Sequence, residues 1–316
     1  MTGVPDQGPG EGDGRVTHLE DQTVRQVVHT SVGGDALTLR LSNEHGDKAL
    51  RLGAVHVAAG TGGTDIDPAS DREVTFGGRR VVTLPAGARI VSDPVELDVP
   101  PDADLVVSLY LPERTEVTTV HRYALQVNAV ADGDVTGDRT VTPVAAPDHW
   151  MFLSGVNVRA LPRTSAVVAL GDSVSDGVAT TAGANHRWPD LLSDRMRADR
   201  RTPDLGVANA GIAGNRLLHD PNPPAGQPVE AYAAYFGPSA LRRFPGDVLG
   251  QAGAEHVIVL LGTNDLGQPG LSAAVAETVT AEQLRLRPAY DSGDHVHPND
   301  AGAQAMAAAV PLRLFR

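Results

Sequence analysis

The run Ala166-Val167-Val168-Ala169-Leu170 leads straight into Gly171-Asp172-Ser173-Val174-Ser175-Asp176-Gly177. A short, wholly apolar run bounded by a Gly/Asp/Ser turn reads as a buried strand. It delivers a serine to the C-terminal end of that strand, the edge at which α/β sheets do their chemistry. A serine placed there, with its backbone N–H at the start of a following helix, can attack an acyl carbon and help hold the oxyanion that results. Two later stretches supply what such a serine needs. Gly262-Thr263-Asn264-Asp265 follows the apolar run Val257-Ile258-Val259-Leu260-Leu261 and offers an amide donor. Asp294-His295-Val296-His297-Pro298 offers a carboxylate three residues before an imidazole, so both can point into one site from a single turn.

Taken in order, Gly171-Asp172-Ser173, Asn209-Ala210-Gly211, Gly262-Thr263-Asn264-Asp265 and Asp294-x-x-His297 resemble the SGNH/GDSL hydrolase family. Each block alone is a weak signal; four in sequence, two of them directly after strand-like runs, are a strong one. The resemblance implies Ser173 as nucleophile, His297 as general base and Asp294 as the group that orients the imidazole. It also implies an oxyanion hole from the Ser173 and Gly211 N–H groups and the Asn264 side chain, with no cofactor and no metal. Asp172 and Asp265 would then brace the loops that carry these residues. His295 competes with His297, because Asp291 precedes it by four residues; the His-Pro pair followed by Asn299-Asp300-Ala301-Gly302 fits the family pattern at His297. No histidine pair shows metal-ligand spacing with a carboxylate helper.

Upstream, from Thr17 to about Leu161, the texture differs. Short runs with period-two alternation recur, among them 24–32, 37–41, 50–57, 81–84 and 105–111, separated by turns such as Gly33-Gly34-Asp35, Gly77-Gly78 and Pro100-Pro101. That spacing predicts an antiparallel β-sandwich or jelly roll. The expected organisation is therefore a disordered Gly/Pro-rich start (1–16), a β-sandwich domain (17–161) and a flavodoxin-like, three-layer α/β/α hydrolase domain (162–316). An N-terminal β-domain of this kind resembles the xylanase-esterase-like branch of the family. Aromatic residues make up only 4% of the chain, so a sugar-binding platform of stacked rings is not evident and a scaffold role is favoured for the β-domain. The acidic loop at 65–71 lacks the glycine and glutamate spacing of a calcium loop and reads as a solvated turn.

Composition excludes other classes. A formal net charge of −13, with Lys48 the one lysine, leaves no basic patch for nucleic acid or an anionic membrane. The absence of cysteine removes disulfides, thiolate metal sites and a cysteine nucleophile. No run has the length of a membrane span. Met1 to Gly14 has neither a basic start nor an apolar stretch and reads as no signal peptide. Two localisations stay open: cytoplasmic as written, or exported from a leader upstream of this start.

In the second half, strand 166–170 is followed by a helix opening at Trp188-Pro189, with Leu191, Leu192 and Met196 at helical spacing. A second strand ends in the Gly-rich turn 209–215, a Pro-rich rim loop spans 221–228, a helix covers part of 242–250, and the third strand is 256–261. The pattern then departs from the family. Only residues 266–293 separate the third block from the Asp/His block, with one helix expected over 272–286 and no apolar strand. A strand-crossover-strand unit needs about 30 residues or more. The sequence reads as if later strands had been removed, with a join near 283–290, leaving a sheet of order 2-1-3. An uncovered edge beside the third strand favours self-association. The leading expectation is a serine esterase acting on small or carbohydrate-linked esters, acetyl esters first; the alternative is an impaired hydrolase remnant serving as a β-domain binding protein.

Overall fold

A computed structural model describes residues 1–3, 16–202, 204–218, 220, 234–267 and 286–315. The chain divides into two compact units, with the principal break between Pro162 and Arg163.

The first unit is built of antiparallel strands. Its main ones are β1 (Thr2–Gly3), β2 (Gln22–Thr30), β3 (Gly34–Ser42), β4 (Ala54–Gly62), β5 (Val95–Val99), β6 (Ala103–Leu111), β7 (Ala129–Asp132) and β8 (Leu153–Val158). A six-stranded sheet has β6 between β2 and β4, with Val106 opposite Val27 on one side and Ala58 on the other. A four-stranded sheet is centred on β3, which pairs with Arg89–Val91, β5 and β8. Alternation decides which side chains go inside: Val95, Leu97 and Val99 of β5 are buried while Glu96 and Asp98 face out. Val24, Leu39, Leu41, Val55, Val57, Leu105 and Leu109 are all buried, each such side chain contributing roughly 1.5–3 kcal/mol. The strand expected over 50–57 is broken at Gly53, so that Leu50–Leu52 pairs with Val82–Leu84 and β4 starts at Ala54. A Cβ at Gly53 would lie 2.8 Å from the Tyr110 ring, which is why the chain crosses there on a glycine.

Disorder is the sequence expectation for residues 1–16, yet Thr2–Gly3 forms β1 against Thr119 and Val120. Thr2 is buried and its hydroxyl donates to the Val120 carbonyl, so these two residues find backbone and side-chain partners that composition does not reveal. Residues 4–15 lie outside the described residues.

The second unit is an α/β/α sandwich. Its elements are β9 (Ser165–Gly171), α1 (Ser173–Asp176), α2 (Trp188–Ala198), β10 (Leu205–Gly211), α3 (Ala240–Phe244), β11 (Ala254–Leu260), α4 (Thr263–Gly267) and α5 (Asp300–Ala309). Among the described residues the parallel sheet has three strands in the order β10-β9-β11, with Gly171 opposite Gly211 and Leu260 at its C-terminal edge. β9 is buried on both faces. Val167 and Ala169 pack on Trp188, Leu192 and Met196 of α2 and on Ala303 and Ala307 of α5, while Val168 and Leu170 pack on Ala240 and Val248. The stretch expected as one helix within 242–250 is α3 followed by a wider π turn over Pro245–Leu249. On β11, Val257 and Val259 stay 42% and 52% exposed. The Pro-rich loop at 221–228 and, apart from Leu286, the helix expected over 272–286 lie outside the described residues, as does part of the join. No helix among the described residues is long and apolar enough to cross a membrane.

Candidate active site

Gly171 closes β9, Asp172 caps α1 and Ser173 is its first residue. The Asp172 carboxylate accepts the Val174 N–H at 3.1 Å, which fixes the tight strand-to-helix turn carrying the serine. Asp172 is itself buried. Burial, chiefly, raises its carboxyl above the ordinary range, with the Val174 N–H and the charge of His297 opposing the rise. The folded chain therefore holds this proton more tightly than the unfolded chain does. The contribution of Asp172 favours folding below the unfolded carboxyl value of about 4 and declines as pH rises through the higher folded value. Asp172→Asn keeps a cap oxygen and removes the buried charge, so its melting temperature at pH 7 is expected to match or exceed that of the parent. Thermal melts at pH 4 and pH 7 check this, with the advantage larger at pH 7.

The imidazole comes from the loop before α5. Asp294 Oδ1 accepts the N–H groups of Val296 and His297, each at 2.8 Å, and Oδ2 takes His297 Nδ1–H at 2.5 Å. One carboxylate thus folds the turn and fixes the tautomer, leaving Nε2 as an acceptor. Ser173 Oγ lies 2.8 Å from that Nε2. Burial acts to raise the Asp294 carboxyl, but hydrogen bonds from the His297 backbone and ring and from Val296 outweigh it and hold the group well below the usual carboxylate range. His295 forms a parallel pair with Asp291 at 2.5 Å, yet its side chain is 63% exposed against 20% for His297. Of the two, His297 is the histidine on the serine.

The loop 178–187 is tied to the same region. Asp300, the first residue of α5, accepts the Thr181 N–H and hydroxyl and His186 Nδ1, all at 2.8 Å.

Asn264, on α4, donates from Nδ2 to the Asn215 carbonyl at 3.1 Å, and Asp265 Oδ2 accepts the Leu217 N–H at 2.8 Å. Asp265 thus braces the turn after β10. Nδ2 carries two hydrogens, so one stays available beyond the Asn215 contact.

The Gly211 N–H donates to Asn209 Oδ1 at 2.9 Å. The reason for glycine here is packing: a Cβ would sit 2.3 Å from the Asp176 nitrogen and 2.7 Å from the Ser175 carbonyl carbon. Gly211 lets the end of β10 lie against α1. Neighbouring Asn209 strengthens that contact by donating to the Ser175 carbonyl at 2.7 Å. Among the described residues no group of three or more His, Cys, Asp or Glu side chains is placed to hold a metal ion.

Against known proteins, no curated sequence matches the chain. Among solved structures, it is similar to a family two carbohydrate esterase from Clostridium thermocellum in complex with cellohexaose, at 11% identity over 92% of this chain and 91% of that one, with a TM-score of 0.28. A family two carbohydrate esterase from Cellvibrio japonicus is similar at 14% identity over 99% and 93% of the two chains, with a TM-score of 0.27. Superposition at that level leaves the functional argument to the site and to the family match. The GDSL-like lipase/acylhydrolase family model matches residues 167–286. Ser173, Gly211 and Asn264 lie inside that stretch, which falls within the second unit and marks it as carrying a GDSL-like lipase/acylhydrolase domain.

Proposed function

We propose that the chain hydrolyses small or carbohydrate-linked carboxylic esters, acetyl esters first, through Ser173, His297 and Asp294. The observation that carries the reading is the unbroken line from Asp294 through His297 to Ser173, at 2.5 and 2.8 Å. Ser173 Oγ attacks the ester carbonyl carbon as its proton passes to His297 Nε2. Asp294, ionised throughout the neutral range, faces the imidazolium so formed. The developing oxyanion takes the Ser173 N–H and the second Asn264 Nδ2 hydrogen. Collapse of the tetrahedral species breaks the C–O bond, and His297 returns the proton to the leaving alkoxide. Water then attacks the acyl-serine by the same route in reverse. The β-rich unit, residues 17–161 in this reading, is a scaffold for the catalytic domain at 162–316.

The test pairs turnover with site-directed chemistry. The purified chain is expected to hydrolyse p-nitrophenyl acetate and to lose that activity in step with one equivalent of a fluorophosphonate, located by peptide mass spectrometry on Ser173. Full labelling at another residue, or no turnover from folded protein, would sink the reading.

A further inference from the structure

One buried cation lies beneath the site and belongs to none of the sequence blocks. Arg243, on α3, has a side chain only 5% exposed. Its Nε donates to Asn215 Oδ1 at 3.0 Å, one terminal nitrogen donates to the Ala210 carbonyl at 2.7 Å and Asp247 Oδ2 at 2.9 Å, and the other donates to the Gly171 carbonyl at 2.9 Å. These acceptors are not scattered. Gly171 is the last residue of β9, one peptide before the Asp172 cap and two before Ser173. Ala210 stands opposite Leu170 at the end of β10. Asn215 is wholly buried, and its carbonyl is the acceptor for Asn264. Its amide also donates to the Phe236 and Pro238 carbonyls at 2.8 and 2.7 Å.

At the C-terminal edge of a parallel sheet the last carbonyls run short of ladder partners, and buried acceptors without donors are costly; the Gly171 carbonyl takes the Ile212 N–H at 3.1 Å and Arg243 fills its second acceptor position. A planar guanidinium offers five N–H groups in a fixed fork and can meet several such acceptors at once, which a lysine ammonium on a flexible stem cannot do in the same geometry. Burial pulls the Arg243 guanidinium down, and the charges of Asp247, Asp176 and Asp172 all oppose that pull.

We propose that Arg243 is a positioning residue for ester hydrolysis. Through Gly171 it sets the turn that presents Ser173, and through Asn215 it sets the carbonyl that orients Asn264. It spans the two donors of the oxyanion hole without touching substrate. The role rests on the serine-hydrolase reading above.

Arg243→Gln removes the charge opposite Asp247 and cannot reach all four acceptors, and it is the variant at risk of not folding. Arg243→Lys keeps the charge opposite Asp247 and is the deciding one. With p-nitrophenyl acetate, folded R243K is expected to lose about tenfold to a hundredfold in kcat, the scale of a small misplacement, with KM within about threefold of the parent. Combined with Asn264→Ala, the same substitution is expected to cost markedly less, because one of the donors it positions is already gone. A folded R243K with parental kcat overturns the role, as does a loss that adds in full to that of N264A. If the parent shows no Ser173-dependent turnover, the serine-hydrolase reading fails and this role with it; an active parent with an unaffected R243K overturns the role alone.

Discussion

Replacing Ser173 or His297 by alanine is expected to lower kcat for p-nitrophenyl acetate by about four to six orders of magnitude, and replacing both is expected to lower it little further. Oγ and Nε2 are 2.8 Å apart and act as one unit, so losing either removes both nucleophile and proton acceptor. His295→Ala is the matched control, because its imidazole is largely exposed and pairs with Asp291. Steady-state rates for the parent and the four variants, each shown to be folded, check the expectation. A large loss in H295A with H297A near parental would transfer the general base to the other pair.

The next largest effect is expected at Asn264. Its side chain reaches the Asn215 carbonyl with one hydrogen and has a second to give to the oxyanion. Removal of one such donor costs about 2.7–4 kcal/mol of transition-state stabilisation, so Asn264→Ala should reduce kcat by about a hundredfold to a thousandfold while KM changes little. The lost ground-state hydrogen bond is worth about 1 kcal/mol, and the fold should survive. Parallel measurement of kcat, KM and the thermal melt separates the outcomes; a KM effect with intact kcat would place Asn264 in substrate binding and outside the oxyanion hole.

Much of this is legible in the sequence. The runs at 166–170 and 257–261 are legible as strands from their continuous apolar residues; the first is buried on both faces, whereas on β11 Val257 and Val259 stay exposed. The strand order 2-1-3 is met among the described residues, while most of the short span between the third block and the Asp/His block lies outside them. The Asp294–His297 spacing put carboxylate and imidazole on one turn, since a three-residue separation lets a single side chain bond both the ring and its backbone. The packing role of Gly211 is not legible in the sequence: a glycine needed for close backbone packing and one needed to expose an N–H look alike there, and the approach of α1 shows only in the fold. Arg243 gave no signal at all. Its partners lie at positions 171, 210, 215 and 247, brought together by the parallel sheet and by no local pattern. Thr2–Gly3 was hidden similarly, its partner strand lying more than a hundred residues away.

The Asp300 contacts bear on how such an enzyme could be altered. A carboxylate that binds Thr181 twice and His186 once sits three residues after His297, at the head of the helix that anchors the imidazole loop. The loop at 178–187 and the loop carrying His297 are therefore tied through one carboxylate. On the proposed mechanism, changes to the 178–187 loop that break these bonds are expected to disturb the imidazole as well, so library designs should leave Thr181, His186 and Asp300 fixed while varying the residues between them.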